Sequence, residues 1–148
     1  MGDAAAADGL PLLDLRTLGR RPNTFLAHRL LAGALEEGED EDGELVQQAL
    51  QQRLGLDLLQ AYWARGEDVG DREVLEGLAE AAGMSAERVV AALDDDLTAT
   101  AVRVDQQRAA KMGIRAVPTF VFGRRFAVSG AQPVAALVDA ARRAVSGA

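Results

Sequence analysis

The stretch GIRAVPTFVFGRRFAVSGAQP, residues 113–133, contains the β-type pattern that decides the fold class. Two runs rich in β-branched and aromatic residues, TFVF at 119–122 and RFAV at 125–128, are separated by Gly123 and Arg124. A two-residue loop with glycine in first position is typical of a type II′ turn. The sequence therefore predicts an antiparallel β-hairpin in this stretch.

The register that follows from this loop places apolar residues on both faces of the first strand. The predicted pairs are Phe122 with Arg125, Val121 with Phe126, and Phe120 with Ala127. A strand that is apolar on both faces is typical of the interior of a layered α/β sheet. Because two antiparallel strands are only marginally stable alone, we expect more sheet than this hairpin to complete the domain.

Helical periodicity dominates the sequence before and after the hairpin. The predicted helices cover residues 23–31, 44–65, 71–82, 85–96 and 97–112, and a last helix begins at Pro133. Asp71 and Ser85 are predicted N-caps, and Gly83 and Gly113 lie where helices end in a left-handed residue. The acidic stretch EEGEDEDG, residues 36–43, is predicted to be a solvated loop.

Apolar residues mark the faces by which these helices are expected to pack. In the long second helix the stripe is Val46, Leu50, Leu54, Leu58 and Tyr62, which Trp63 extends. In the fourth helix we expect Val89, Val90 and Leu93 to point inward. In the last helix the predicted core face is Val134, Leu137, Val138, Ala141 and Val145.

Composition excludes several classes of function. The 148 residues carry a net charge of −7 with the acidic groups spread widely, which disfavours nucleic acid as a partner. The sequence has neither a run of roughly 18 apolar residues nor a basic, apolar leader, so we expect no membrane partner and a cytoplasmic location. The chain has no cysteine and one histidine, so we expect no metal site, and we expect no cofactor.

Four collinear stretches together resemble one known family. Besides residues 113–133, they are NTFLAHRLL at 23–31, AYWARGEDVGDREVLEGLAEAAG at 61–83 and VRVDQQRAAKMG at 102–113. In this order and spacing the chain resembles the C-terminal two-thirds of a DsbA-family protein, closest to the FrnE-type branch. The resemblance extends from about Asn23 to the C-terminus.

The resemblance implies an α/β architecture, mostly α by content: a truncated thioredoxin-like fold with a large α-helical insertion. The implied organisation is an N-terminal segment at 1–22, expected to be flexible, a helical insertion at 23–112, and the C-terminal part of the thioredoxin-like domain at 113–148. That last part holds a cis-proline loop, the hairpin and the final helix. The segment that bears a Cys-x-x-Cys in the family would precede all of these.

The family activity implied is thiol-disulfide exchange, which requires a cysteine thiolate. Because the chain has no cysteine, we predict that it is redox-inactive by itself and that it has no catalytic residue. By resemblance, Val117, Pro118 and Thr119 form the substrate-binding loop. The Val117–Pro118 bond is expected to be cis, beside an edge that binds a peptide or thiol substrate.

Two other functions stay open. One is a glutathione-handling relative of the kappa-class transferase or hydroxychromene-carboxylate isomerase type. The amides at Ser129 and Gly130 are candidates to bind a glutathione carboxylate, although a simple turn and helix cap is the favoured interpretation of these two residues. The other is a non-enzymatic module that self-associates as a homodimer through its uncovered hairpin edge. His28, the one histidine, is expected to be half-buried or to cap a helix rather than to act as a base.

Overall fold

The computed structural model describes residues 21–35 and 41–146, and for residues 41–44 it describes the backbone only. The helices are α1 (Phe25–Gly33), α2 (Glu41–Gln60) with a π-helical turn at Ala61–Arg65, α3 (Arg72–Ala82), α4 (Ala86–Asp94), α5 (Asp96–Lys111) and α6 (Val134–Ser146). The strands are β1 (Thr119–Phe122) and β2 (Phe126–Ser129). The flexible segment predicted at 1–22 lies outside the described residues except for its last two. Residues 36–40 of the predicted acidic loop also lie outside, whereas residues 41–43 belong to α2, so the loop prediction is wrong there. The predicted mostly helical architecture with a small β part is confirmed.

Two compact units make up the chain, one reaching Val104 and the other starting at Asp105. The first contains α1 to α4 and most of α5, and the second contains the end of α5, the hairpin and α6. The domain boundaries expected from the resemblance stay predictions. In the part of the chain that the structure describes, no helix is both long and apolar enough to cross a membrane.

Helix ends in the first unit follow the predicted local chemistry. The Asp71 carboxylate accepts hydrogen bonds from the backbone N–H groups of Glu73 (2.8 Å) and Val74 (3.3 Å) at the start of α3. The Ser85 hydroxyl accepts from the Arg88 N–H at 3.4 Å. Gly83 ends α3 with a φ of 99°, a backbone conformation that side chains with a Cβ rarely adopt. These three caps were predicted from the sequence.

Leucines from several helices form the core of the first unit. Its largest fully buried apolar side chains are Leu30, Leu54, Leu75 and Leu93. Val46 and Val90, both predicted to be buried, are 69% and 52% exposed. In α4 the buried residues are Val89, Ala92 and Leu93, which share one side of the helix. A helix at the surface of a protein buries one side only, and Val90 lies outside the buried side of α4.

The hairpin of the second unit has a different register from the predicted one. The pairs are Thr119 with Ser129, Phe120 with Val128, Val121 with Ala127, and Phe122 with Phe126. The loop therefore has three residues, 123–125, rather than two. A type II′ turn needs a positive φ only at its first central residue, but Gly123 and Arg124 both have a φ of 58°.

The corrected register changes which residues share a face. Phe122 and Phe126 are now opposite each other on one face, together with Phe120 and Val128. Phe120 is 38% exposed and Val121 is 40% exposed, so neither face of β1 is fully covered in this unit. The prediction of a strand buried on both faces is thus wrong for the residues that the structure describes.

Helix α6 packs with alanines where the sequence pattern favoured valines. Val134, Val138 and Val145 are 76%, 41% and 90% exposed, whereas Ala140 is 2% exposed. Leu137, Ala141 and Ala144 are half-buried. Small residues allow the helix backbone to approach the hairpin closely, as the 3.5 Å between Ala144 Cβ and a Cβ built at Gly123 indicates. The predicted core face is therefore wrong at its three valines, whereas Leu137 and Ala141 are half-buried as members of that face.

Candidate functional site

The loop that leads into β1 is held at both of its ends. The Val117–Pro118 peptide bond is cis, as the resemblance implied. The Thr119 hydroxyl donates a hydrogen bond to the Ala116 carbonyl at 2.6 Å. The Gly130 N–H donates to the Pro118 carbonyl at 2.7 Å. These two bonds join the loop to itself and to the end of β2, which fixes the backbone on each side of Val117.

Val117 itself is presented to solvent between these fixed neighbours. Its side chain is 88% exposed. Among the described residues, its backbone N–H and C=O have no hydrogen-bond partner. A residue that precedes proline is confined to extended conformations, in which both groups suit pairing with an added strand. The predicted residues Val117, Pro118 and Thr119 therefore lie together at the start of β1, with Val117 and Pro118 exposed to solvent.

The side chains of this loop carry no reactive group. None of its three side chains titrates or acts as a redox group, and the chain contains no cysteine. The Gly130 amide, which was one of the two amides considered for a glutathione carboxylate, already donates to Pro118. An anion that used this amide would have to displace a 2.7 Å hydrogen bond.

The carboxylates between the π-helical turn and α3 serve local structure. Glu67 accepts two hydrogen bonds from Arg65, at 2.7 and 3.2 Å, and these bonds raise the pKa of Arg65. Asp68 accepts from the Gly70 N–H at 2.8 Å, and Asp71 caps α3. The three carboxylates are each accounted for by a turn, a cap or an ion pair. The arrangement is that of a solvated loop rather than of paired acid and base groups.

A groove in the first unit escaped the sequence reasoning. It has a volume of 730 Å³ and lies between α1, α2 with its π-helical turn, and the loop residue Val69. His28 is exposed on α1 and lines this groove, so the prediction that it is half-buried or capping is wrong. Tyr62 and Trp63 were expected to extend the apolar stripe of α2, and both line the groove. In the sequence, the adjacent aromatic residues Tyr62 and Trp63 were the feature that pointed to this groove.

Comparison with protein families gives a match over nearly the whole chain. The family model of the DSBA-like thioredoxin domain matches residues 1–142 of the 148. No curated protein matches the chain. The matched range includes both compact units and the loop around Val117.

Proposed function

Because the chain belongs to the DsbA-like thioredoxin-domain family of thiol-disulfide oxidoreductases, we propose that its own part in that chemistry is to bind an extended polypeptide beside Val117. The observation that carries the proposal is the exposed, unpaired backbone of Val117 between two fixed neighbours. Strand addition of this kind obtains affinity from main-chain hydrogen bonds and is tolerant of sequence. Such binding needs no thiol in this chain.

The absence of a cysteine limits the proposal to binding. Disulfide exchange proceeds by attack of a thiolate on a disulfide sulfur, and no side chain of this sequence forms a thiolate. We therefore expect the chain to hold a substrate in an extended form without oxidising or reducing it. The four stretches quoted from the sequence favour the FrnE-type branch within the family.

A titration followed by amide NMR tests the binding site. The probe is a reduced, S-alkylated and unfolded polypeptide, which offers extended backbone but no thiol. We expect the amide signals of Val117, Thr119 and their neighbours in 116–119 to shift, while those of α3 and α4 stay in place. Shifts confined to the first unit, or none at millimolar probe, would show that the loop is not a peptide site.

Titration with glutathione separates the alternative function. If glutathione shifts the amide signals of Ser129 and Gly130, and the polypeptide at the same concentration shifts no signal of the loop, the glutathione-handling alternative replaces the peptide proposal. If the polypeptide shifts the Val117 region and glutathione shifts nothing, the peptide proposal stands. Both titrations use the same labelled chain, so they are directly comparable.

Self-association is a second candidate, favoured by the two-stranded sheet. The described sheet consists of β1 and β2 alone, and each strand has an outer edge. Sheet edges pair with other strands unless something covers them. We propose a homodimer that forms through such an edge. Light scattering after gel filtration should give a mass near twice 15.6 kDa, and a mass of one chain at all concentrations would contradict the dimer.

A further inference from the structure

The groove of the first unit has the shape and lining of an apolar binding site. Its floor includes Ala27, Leu58 and Val69, which are 6%, 7% and 5% exposed. Its edge carries Leu56 and Leu59, which are 61% and 55% exposed. Ligand sites in proteins have volumes of about 300–1,000 Å³, and 730 Å³ falls in that range. Exposed leucines beside a buried apolar floor are typical of a site that another apolar group covers.

The π-helical turn adds aromatic surface to this groove. Tyr62 and Trp63 are adjacent in sequence and their rings meet edge to face, with centroids 4.8 Å apart and planes at 72°. Both residues line the groove from the turn Ala61–Arg65. π-Helical turns are rare and are frequent at functional sites.

The charge of the lining restricts what can be bound. Among the described residues that line the groove there is no Asp, Glu, Lys or Arg, and His28 is the one ionisable group besides Tyr62. A charged partner would lose hydration here without gaining an ion pair. The matching occupant is therefore an apolar segment without net charge, in a chain whose own net charge is −7.

We propose that residues 10–18 of the same chain, LPLLDLRTL, occupy the groove. Five of these nine residues are leucine, and the two charged ones alternate with Leu13 and Leu15. In an extended segment such alternation places Leu13 and Leu15 on one side and Asp14 and Arg16 on the other, where the charges keep their hydration. Residue 18 lies six positions before Thr24, which lines the groove, and six residues span up to about 20 Å. The family match begins at residue 1, so this segment belongs to the same domain as the groove.

The covalent connection between residue 18 and Thr24 favours this segment over the same segment of a second copy of the chain. A short flexible connection gives a local concentration of about a millimolar. At micromolar protein, the intramolecular segment therefore outcompetes an equal segment from another molecule by roughly a thousandfold. The occupant is thus the chain's own N-terminal segment and not a dimer partner.

Trp63 reports on this contact because it is the one tryptophan of the chain. In the full chain, Leu13→Asp combined with Leu15→Asp should shift the Trp63 emission to longer wavelength and raise its quenching by acrylamide about twofold. The control is Leu97→Asp, at a position that is 69% exposed and does not line the groove. An unchanged emission in the double variant would overturn the proposal.

A cysteine pair tests the same contact in a chain that keeps its fold. Because the sequence has no cysteine, Leu13→Cys with Leu56→Cys creates a single pair across the proposed contact. Under mild oxidation we expect an intramolecular disulfide at least tenfold faster than for Leu13→Cys with Leu97→Cys. Equal rates for the two pairs, or a disulfide that joins two chains, would overturn the proposal.

Discussion

Arg29 and Arg88 each bind the C-terminal end of the other's helix. Arg29, on α1, donates from Nη2 to the Asp95 carbonyl at 2.7 Å and from Nε to the Ala92 carbonyl at 3.1 Å. Arg88, on α4, donates from Nη2 to the Gly33 carbonyl at 3.1 Å. The last carbonyls of a helix lack intrahelical partners and carry the negative end of its dipole. The two guanidinium groups thus join α1 and α4 at both ends.

Loss of the Arg29 guanidinium should destabilise the first unit. Arg29→Met keeps the apolar stem but removes the charged donor from the carbonyls of Ala92 and Asp95, which then retain only neutral donors such as the Thr98 hydroxyl. Hydrogen bonds to a charged group contribute about 1.5–3 kcal/mol, so we expect a loss of about 2 kcal/mol in urea unfolding. Arg103→Met is the control: it removes a guanidinium 5.5 Å from the Phe25 ring, an interaction worth about 0.5–1 kcal/mol. Equal losses in the two variants would contradict the capping role.

Gly33 and Gly77 form a matched pair for a test of helix packing. A Cβ at Gly33 would lie 2.5 Å from Ala92 Cβ, closer than real atoms approach, whereas a Cβ at Gly77 would meet nothing within 4 Å. We expect Gly33→Ala to cost about 1–3 kcal/mol by overpacking. Gly77→Ala, inside α3, should stabilise by about 1 kcal/mol through helix propensity. The unfolding free energies of both variants in urea decide the matter, and a stabilised Gly33→Ala would show that α1 and α4 do not approach this closely.

Acid should weaken the link between α3 and α4. Arg72 binds both carboxylate oxygens of Asp94, at 2.7 and 2.8 Å, and these hydrogen bonds lower the pKa of Asp94 below its ordinary 3.8. The stabilisation is therefore complete above pH 3.8 and is lost as the pH falls through the lower pKa of the folded state. Both side chains are substantially exposed, so the effect is expected to be small.

The variant Asp94→Asn isolates this contribution. We expect it to unfold more readily than the unchanged chain at pH 7 and equally readily at the acid end of the titration. In an Arg72→Gln background the same substitution should have a much smaller effect, since only the weaker coulombic attraction of Arg29 for Asp94 remains. Urea midpoints measured from pH 7 downward provide the comparison. An undiminished difference in the Arg72→Gln background would assign the effect to another partner of Asp94.

Local chemistry made the helix ends of this chain predictable. Asp71 and Ser85 cap because a short side-chain oxygen can reach the N–H groups two or three residues on, whatever the tertiary context. Gly83 adopts its φ of 99° for a reason equally local. The hairpin register could not be obtained in this way. Arg124 takes a positive φ that its residue type disfavours, so the loop length depended on more than the turn residues.

Residues that act through tertiary contact were beyond the sequence pattern. Helix α6 is rich in alanine and valine on several sides, and periodicity alone favoured the larger residues for the core. The structure buries Ala140 instead, because closeness to the hairpin outweighs side-chain area there. The groove forms because α1 and α2 lie side by side, and no sequence motif predicts that arrangement. The loop at Val117 was predicted through the family resemblance and not through residue chemistry.

Thr119 offers the sharpest test of the proposed peptide site. Thr119→Val keeps the shape and the β-branched side chain of β1 but removes the 2.6 Å bond to the Ala116 carbonyl. A hydrogen bond contributes about 0.5–1.5 kcal/mol, so a loop that loses it should bind the unfolded, alkylated polypeptide up to about tenfold more weakly. Thr100→Val, at an exposed position of α5, should leave binding unchanged. Affinities from calorimetry, with unfolding curves to show that both variants are folded, make the comparison. If Thr119→Val binds as tightly as the unchanged chain, the bond between Thr119 and Ala116 does not preorganise the loop. That result would contradict the argument that fixed residues on each side of Val117 create the peptide site.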